Sequence, residues 1–145
     1  MNNISYGALG EKIASEYLIK NGFKILAKNC KFYNCELDIV ANFSKRAQKK
    51  KIKNKYKNGE IKSKSAYKFL TQNLNDLLVF VEVKYSSTLA FGEPMERVDV
   101  RKQNQLKKAA EGFIIRNHYK GQCRFDVISI VGNDIKHIEN AFEIL

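Results

Sequence analysis

The sequence has no apolar run approaching the roughly 18–20 residues of a membrane span, so no membrane-spanning helix is expected. Its start, Met1-Asn2-Asn3-Ile4-Ser5, lacks a basic stretch leading into an apolar one, so no signal peptide is read there and a cytoplasmic location is expected. Cysteine is scarce and odd in number. Cys30, Cys35 and Cys123 are expected as free thiols in a reducing compartment, not as a disulfide framework. Together with His118 and His137 they match no usual zinc spacing. There is one proline, Pro94, and no internal repeat. Acid is almost missing from one stretch: residues 45–68 hold eleven Lys/Arg against Glu60 alone, a local net of +10. The other 121 residues hold fifteen basic and fourteen acidic side chains, so the body is nearly neutral although the chain carries +11.

What is present is enough apolar residue for one domain with a real core: 145 residues, 44% of them hydrophobic. Residues 4–21 have helical spacing, with Ile4, Ala8, Ile13, Ala14, Tyr17 and Leu18 largely on one face and Asn21-Gly22 as the stop. Phe23 to Phe32 reads as a strand, Tyr33-Asn34 as a turn and Glu36 to Asn42 as the returning strand. Residues 44–76 break the pattern and read as an insertion between paired strands. Its lysine-rich first half is expected as a flexible basic loop or frayed helix, and its second half, with Ala66, Phe69, Leu70 and Leu74, as a short helix. Leu77 to Tyr85 is the strongest strand signal. Leu89 to Glu96 reads as a loop, Asp99 as the cap of a helix running to about Asn117, Arg124 to Val131 as a strand, and Ile135 to Ile144 as a last strand or mixed segment. The order α-β-β-(insertion)-β-α-β-β predicts an α/β fold, a mixed sheet flanked by helices, within a single domain 1–145.

Two strands carry charge where charge needs a reason: Glu36-Leu37-Asp38-Ile39-Val40 and Val79-Phe80-Val81-Glu82-Val83-Lys84. Residues i and i+2 of a strand share a face, so Glu36 goes with Asp38 and Glu82 with Lys84. If the strands pair, these four charges gather on one patch. Asp38, Glu82 and the backbone carbonyl of Val83 then offer oxygen ligands to Mg²⁺, which keeps several waters. Lys84 would stand beside an attacking water or a phosphate. Set against this, a lone Glu-x-Lys in a strand is usually a solvated face. Glu11, in the helix beside Gly7 and Gly10, reads by itself as an exposed carboxylate, although two helical glycines point to close packing.

Gly7-x-x-Gly10-Glu11, Glu36-Leu37-Asp38-Ile39-Val40, Val79-Phe80-Val81-Glu82-Val83-Lys84, Phe91-Gly92, Lys102 with Leu106, and Arg124-Phe125-Asp126-Val127 resemble, in that order, the YraN-like family of small bacterial proteins. That family is similar to the restriction-endonuclease-like superfamily with the PD-(D/E)xK motif, which includes archaeal Holliday-junction resolvases. The resemblance covers nearly the whole chain outside residues 44–76. It implies a restriction-endonuclease-like fold and Asp38, Glu82 and Lys84 as catalytic core. It also implies a Mg²⁺ site (Mn²⁺ able to substitute) held by Asp38, Glu82, Val83 and Glu11, with Glu36 and Lys102 accessory. Resolvase-like enzymes usually act as dimers, so a homodimer is implied, although no interface can be read from the residues. The chain departs from the family pattern at Cys35, where glycine is usual, at Tyr85-Ser86, where a basic residue often follows, and in the lysine-rich insertion.

Two functions are in view. The first is a Mg²⁺-dependent DNA endonuclease acting on branched or single-stranded DNA in repair or recombination. The alternative is a nucleic-acid-binding protein of the same fold that cuts nothing. Lys45, Arg46, Lys49, Lys50, Lys51, Lys53, Lys55 and Lys57 form the candidate nucleic-acid-binding arm for either, with Tyr56 available to stack on a base. A solubilising loop is the bland reading of the same lysines. An RNA- or ribosome-associated factor rests on charge alone.

Overall fold

The computed structural model describes residues 5–86 and 98–143. The expected loop Leu89 to Glu96, with Phe91-Gly92 and Pro94, lies outside them. Among the described residues nine elements follow one another: α1 (Tyr6–Lys20), β1 (Phe23–Phe32), β2 (Cys35–Phe43), α2 (Lys45–Lys57), α3 (Lys64–Thr71), β3 (Leu77–Ser86), α4 (Val100–Arg116), β4 (Gln122–Val131) and β5 (Asp134–Phe142). The five strands form one sheet in the order β1-β2-β3-β4-β5. Only β3 and β4 are parallel, joined through α4, and the other neighbours are antiparallel. This is a mixed α/β sheet with helices around it, consistent with a restriction-endonuclease-like fold.

The core has two layers, one on each face of the sheet, and β2 breaks strict alternation between Leu37 and Ile39, which fall in different layers. Leu37, Val40, Leu78, Phe80, Phe125 and Val127 face α4, where Leu106, Ala109 and Ala110 complete one cluster. Ile39, Ala41, Phe43, Val79, Val81, Ile128 and Ile130 face α1, where Ala14 and Leu18 complete the other. Both helices begin at side-chain caps: Ser5 accepts from the Ala8 amide at 3.2 Å and Asp99 from the Lys102 amide at 2.9 Å. The turn between β1 and β2 places Tyr33 at φ 57°, in the left-handed region.

The lysine-rich stretch is not a loop. It is a regular helix of 13 residues, α2. Ser44 caps it, the Lys45 amide donates to the Asp76 carboxylate at 2.7 Å, and Gln48 Nε2 donates to the carbonyls of Phe43 and Asn75. These partners tie the helix start to both strands it connects, which offsets the repulsion among its lysines. Tyr56 stacks on Tyr67 of α3 at 4.8 Å between ring centres, so its ring joins the two helices to each other.

Candidate functional site

β2 and β3 pair from Phe43↔Leu77 only as far as Ile39↔Val81. Beyond that point β2 continues against β1 and β3 continues against β4, so the sheet forks. The fork leaves the Val83 amide without a β2 carbonyl, and Asp38 fills the gap: its Oδ2 accepts from Val83 N–H at 2.9 Å. Asp38 and Glu82 therefore stand at the mouth of the fork, each on a strand still held by its outer neighbour.

An open fork admits side chains from both layers. From the α1 side comes Glu11. The helix approaches β3 closely at Gly10, where a Cβ would lie 2.9 Å from Tyr85 Cβ and 3.5 Å from Val83 Cγ1. Carboxylate oxygens of Glu11, Glu36 and Asp38, all half-buried, lie within 4.8 Å of one another. From the α4 side comes Lys102, whose Nζ is 3.7 Å from Glu82 Oε1. Lys84 Nζ lies 3.2 Å from the same oxygen. The other oxygen, Glu82 Oε2, is buried and no hydrogen-bond donor among the described residues reaches it; the whole residue is only 4% exposed. A cavity of about 270 Å³ opens here, lined by Tyr6, Gly7, Glu11, Asp38 and the run Glu82 to Tyr85.

The electrostatics follow from this crowding. Burial pushes the Asp38 carboxyl up from 3.8 to about 7; the Glu82 charge, a hydrogen bond shared with the Glu82 side chain and the Glu11 charge add to the rise, and the Val83 hydrogen bond opposes it. Asp38 thus keeps a proton near neutrality in the absence of a cation. Burial also pushes the Cys35 thiol up, against the opposing pull of Lys102; all three cysteines are free. Carboxylate oxygens in this number, with one unpartnered and buried, form a donor set that suits a hard divalent cation.

The residues named from the sequence fall into two places. Glu11, Glu36, Asp38, Glu82, Val83, Lys84 and Lys102 meet at the fork, Val83 through its amide. The basic residues of α2 do not. Lys45, Arg46, Lys49, Lys50, Lys53, Lys55 and Lys57 are exposed along that helix, while Lys51 is half-buried, forms an ion pair with Glu139 and lies over the Phe43 ring at 5.8 Å. The sequence reading does not single out Tyr6, which stacks on Tyr85 at 5.7 Å over the cavity; lying at the end of a helical pattern, it carries no local signal. Arg124 and Asp126 stand apart, paired through 2.7 and 2.9 Å hydrogen bonds with His137 on the same carboxylate.

The chain is similar in sequence to known proteins over nearly its whole length. A family model described as "Uncharacterised protein family UPF0102" matches residues 10–130. A UPF0102 protein of Caldanaerobacter subterraneus subsp. tengcongensis is 35% identical over 98% of each chain. One from Clostridioides difficile strain 630 is 33% identical over 98% of this chain and 100% of its own. One from Pelobacter propionicus is 36% identical over 99% of this chain and 86% of its own.

Proposed function

Given that the chain belongs to the UPF0102 (YraN-like) family, we propose that it is a metal-dependent endonuclease that hydrolyses phosphodiester bonds in DNA. The observation that carries this reading is the buried, unpartnered Glu82 Oε2 beside Asp38 in a cavity that Glu11 also lines. A buried carboxylate oxygen without a donor costs on the order of 1–3 kcal/mol or more; the proton that Asp38 shares with Glu82 offsets part of it, and a cation, which releases that proton, suits both carboxylates. Asp38, Glu82 and Glu11, with the Val83 carbonyl, would hold Mg²⁺ or Mn²⁺, and Glu36 would support Asp38.

Such an ion, when bound, makes a water more acidic and neutralises charge on a phosphate. The remaining work belongs to the chain. Asp38 releases its proton as the cation binds and stays oriented by the Val83 amide. Lys84 holds an ammonium beside Glu82, where negative charge develops on the reacting phosphate. Lys102, on the far side of the same carboxylate, positions the scissile strand. The exposed basic side chains of α2 supply affinity that does not read sequence.

The test is incubation of the purified protein with branched, flapped and single-stranded DNA, with Mg²⁺ or Mn²⁺ and with chelator. Cleavage is expected with metal only, and Asp38→Asn or Lys84→Ala is expected to lower it about a hundredfold or more. Cutting that both variants retain would remove the assignment. Salt-sensitive binding with no cutting under any metal would instead support the nucleic-acid-binding protein, for which the exposed basic face of α2 is the supporting observation.

A further inference from the structure

We propose that a second pocket, at the opposite end of α1 from the acidic cavity, binds a backbone phosphate of nucleic acid; this rests on the nucleic-acid reading above but not on cleavage. The pocket measures about 490 Å³ and lies between the C-terminal end of α1, α2 and β5. Lys20, Lys50, Lys51, Asn54, Tyr17 and His137 line it, and no carboxylate is among its described lining residues.

Its floor is built. His137 has a side chain only 7% exposed, with Nε2 at 2.7 Å from Asp126 Oδ2 and its ring edge-on to Tyr17 at 5.5 Å. Asp126 is fully buried. Its oxygens also accept two bonds from Arg124 and one from the Asn140 amide, so its charge is spent locally. An acceptor at Nε2 makes that nitrogen the protonated one in the neutral ring. The carbonyl end of α1, which would repel an anion, is covered: the Tyr17 carbonyl accepts from Asn21 Nδ2 at 2.8 Å, and the Ile19 carbonyl from the Gly22 amide at 3.1 Å.

The charge balance points the same way. Lys51 is paired with Glu139, but Lys20 and Lys50 have no ion-pair partner among the described residues. Two uncommitted ammonium groups over a rigid floor with no carboxylate among its described lining residues suit a phosphodiester. Glu11 and Lys20 are nine residues apart on α1, about 14 Å along the axis, which spans roughly four base-pair steps. One strand of nucleic acid could therefore occupy both ends of the helix.

The experiment is oligonucleotide binding by fluorescence anisotropy in chelator, where nothing is cut, across a salt series. Lys20→Glu with Lys50→Glu is compared with the same charge change on β1, Lys28→Glu with Lys31→Glu, after circular dichroism establishes that both are folded. The pocket variant is expected to lose about tenfold or more in affinity and to lower the salt slope by about 2, while the β1 variant changes little. Equal losses in the two variants would overturn the pocket in favour of diffuse charge. Ring resonances of His137 are expected to shift on addition of the oligonucleotide. If inorganic phosphate shifts them and the oligonucleotide does not, the pocket serves a free phosphate and the nucleic-acid assignment falls. Binding is read in chelator and cleavage with metal, each on the pocket variant and the unaltered chain, so loss of cleavage and loss of this pocket are separate results.

Discussion

Asp38 shows what the site demands of a single residue. In the unfolded chain its carboxyl ionises near 3.8, whereas in the fold burial and the Glu82 charge hold the proton to about 7. Between those values the folded state binds more protons than the unfolded one. Its contribution to stability is therefore full below about pH 4, declines as pH rises, and is lost above about pH 7. The whole change is worth about 4 kcal/mol. Measured by urea unfolding in chelator, the protein should be less stable at pH 8 than at pH 5 from this group. Asp38→Asn should flatten that difference, because its amide oxygen can still accept the Val83 N–H and carries no charge. An Asp38→Asn variant with the unaltered pH dependence would mean that the carboxyl ionises freely in the fold. Added Mg²⁺ at pH 8 should stabilise the unaltered protein by about 2.7 kcal/mol at a hundredfold excess over its dissociation constant, and should not stabilise the variant.

At the scale of elements, the site depends on how α1 sits on β3. Gly10→Ala would put a methyl 2.9 Å from Tyr85 Cβ, whereas at Gly7 the same methyl would meet only Ser5 Oγ at 4.0 Å. Overpacking of this kind costs about 1–3 kcal/mol, and alanine returns about 1 kcal/mol of helix propensity. Thermal unfolding should show Gly10→Ala neutral to destabilised by about 2 kcal/mol, with weaker Mg²⁺ stabilisation because Glu11 moves with the helix. Gly7→Ala should be stabilising or neutral and should leave the Mg²⁺ effect intact. Those glycines were legible in the sequence as a sign of close packing, and the strand pattern placed Glu82 and Lys84 on one face. The fork was not legible, because it is an end of pairing between strands separated by 33 residues (44–76) and no residue at Ile39 or Val81 announces it. Nor was α2. Its composition reads as repulsion, while the bonds that hold its start come from Asp76 and Asn75, remote in sequence.

Over the whole molecule, charge is divided by task. Residues 45–68 carry a net +10 and the rest +1, so the acids at the fork are balanced within a nearly neutral body. α2 and α3 enter and leave the sheet where Phe43 and Leu77 are already paired, so a short turn in place of residues 44–76 would close a hairpin without altering the pairing. The shortened chain should remain folded, at some loss of stability from the Lys51–Glu139 pair and the Ala47 contact with the core. It should keep the Mg²⁺-dependent rise in melting temperature, because every carboxylate at the fork lies outside the deleted stretch. It should lose most of its salt-dependent affinity for nucleic acid, with the slope of log affinity against log salt falling by about 0.9 for each phosphate contact removed from duplex DNA. Unchanged affinity would place nucleic-acid contact on the body instead, and loss of the Mg²⁺ effect would show that α2 supports the fork from a distance.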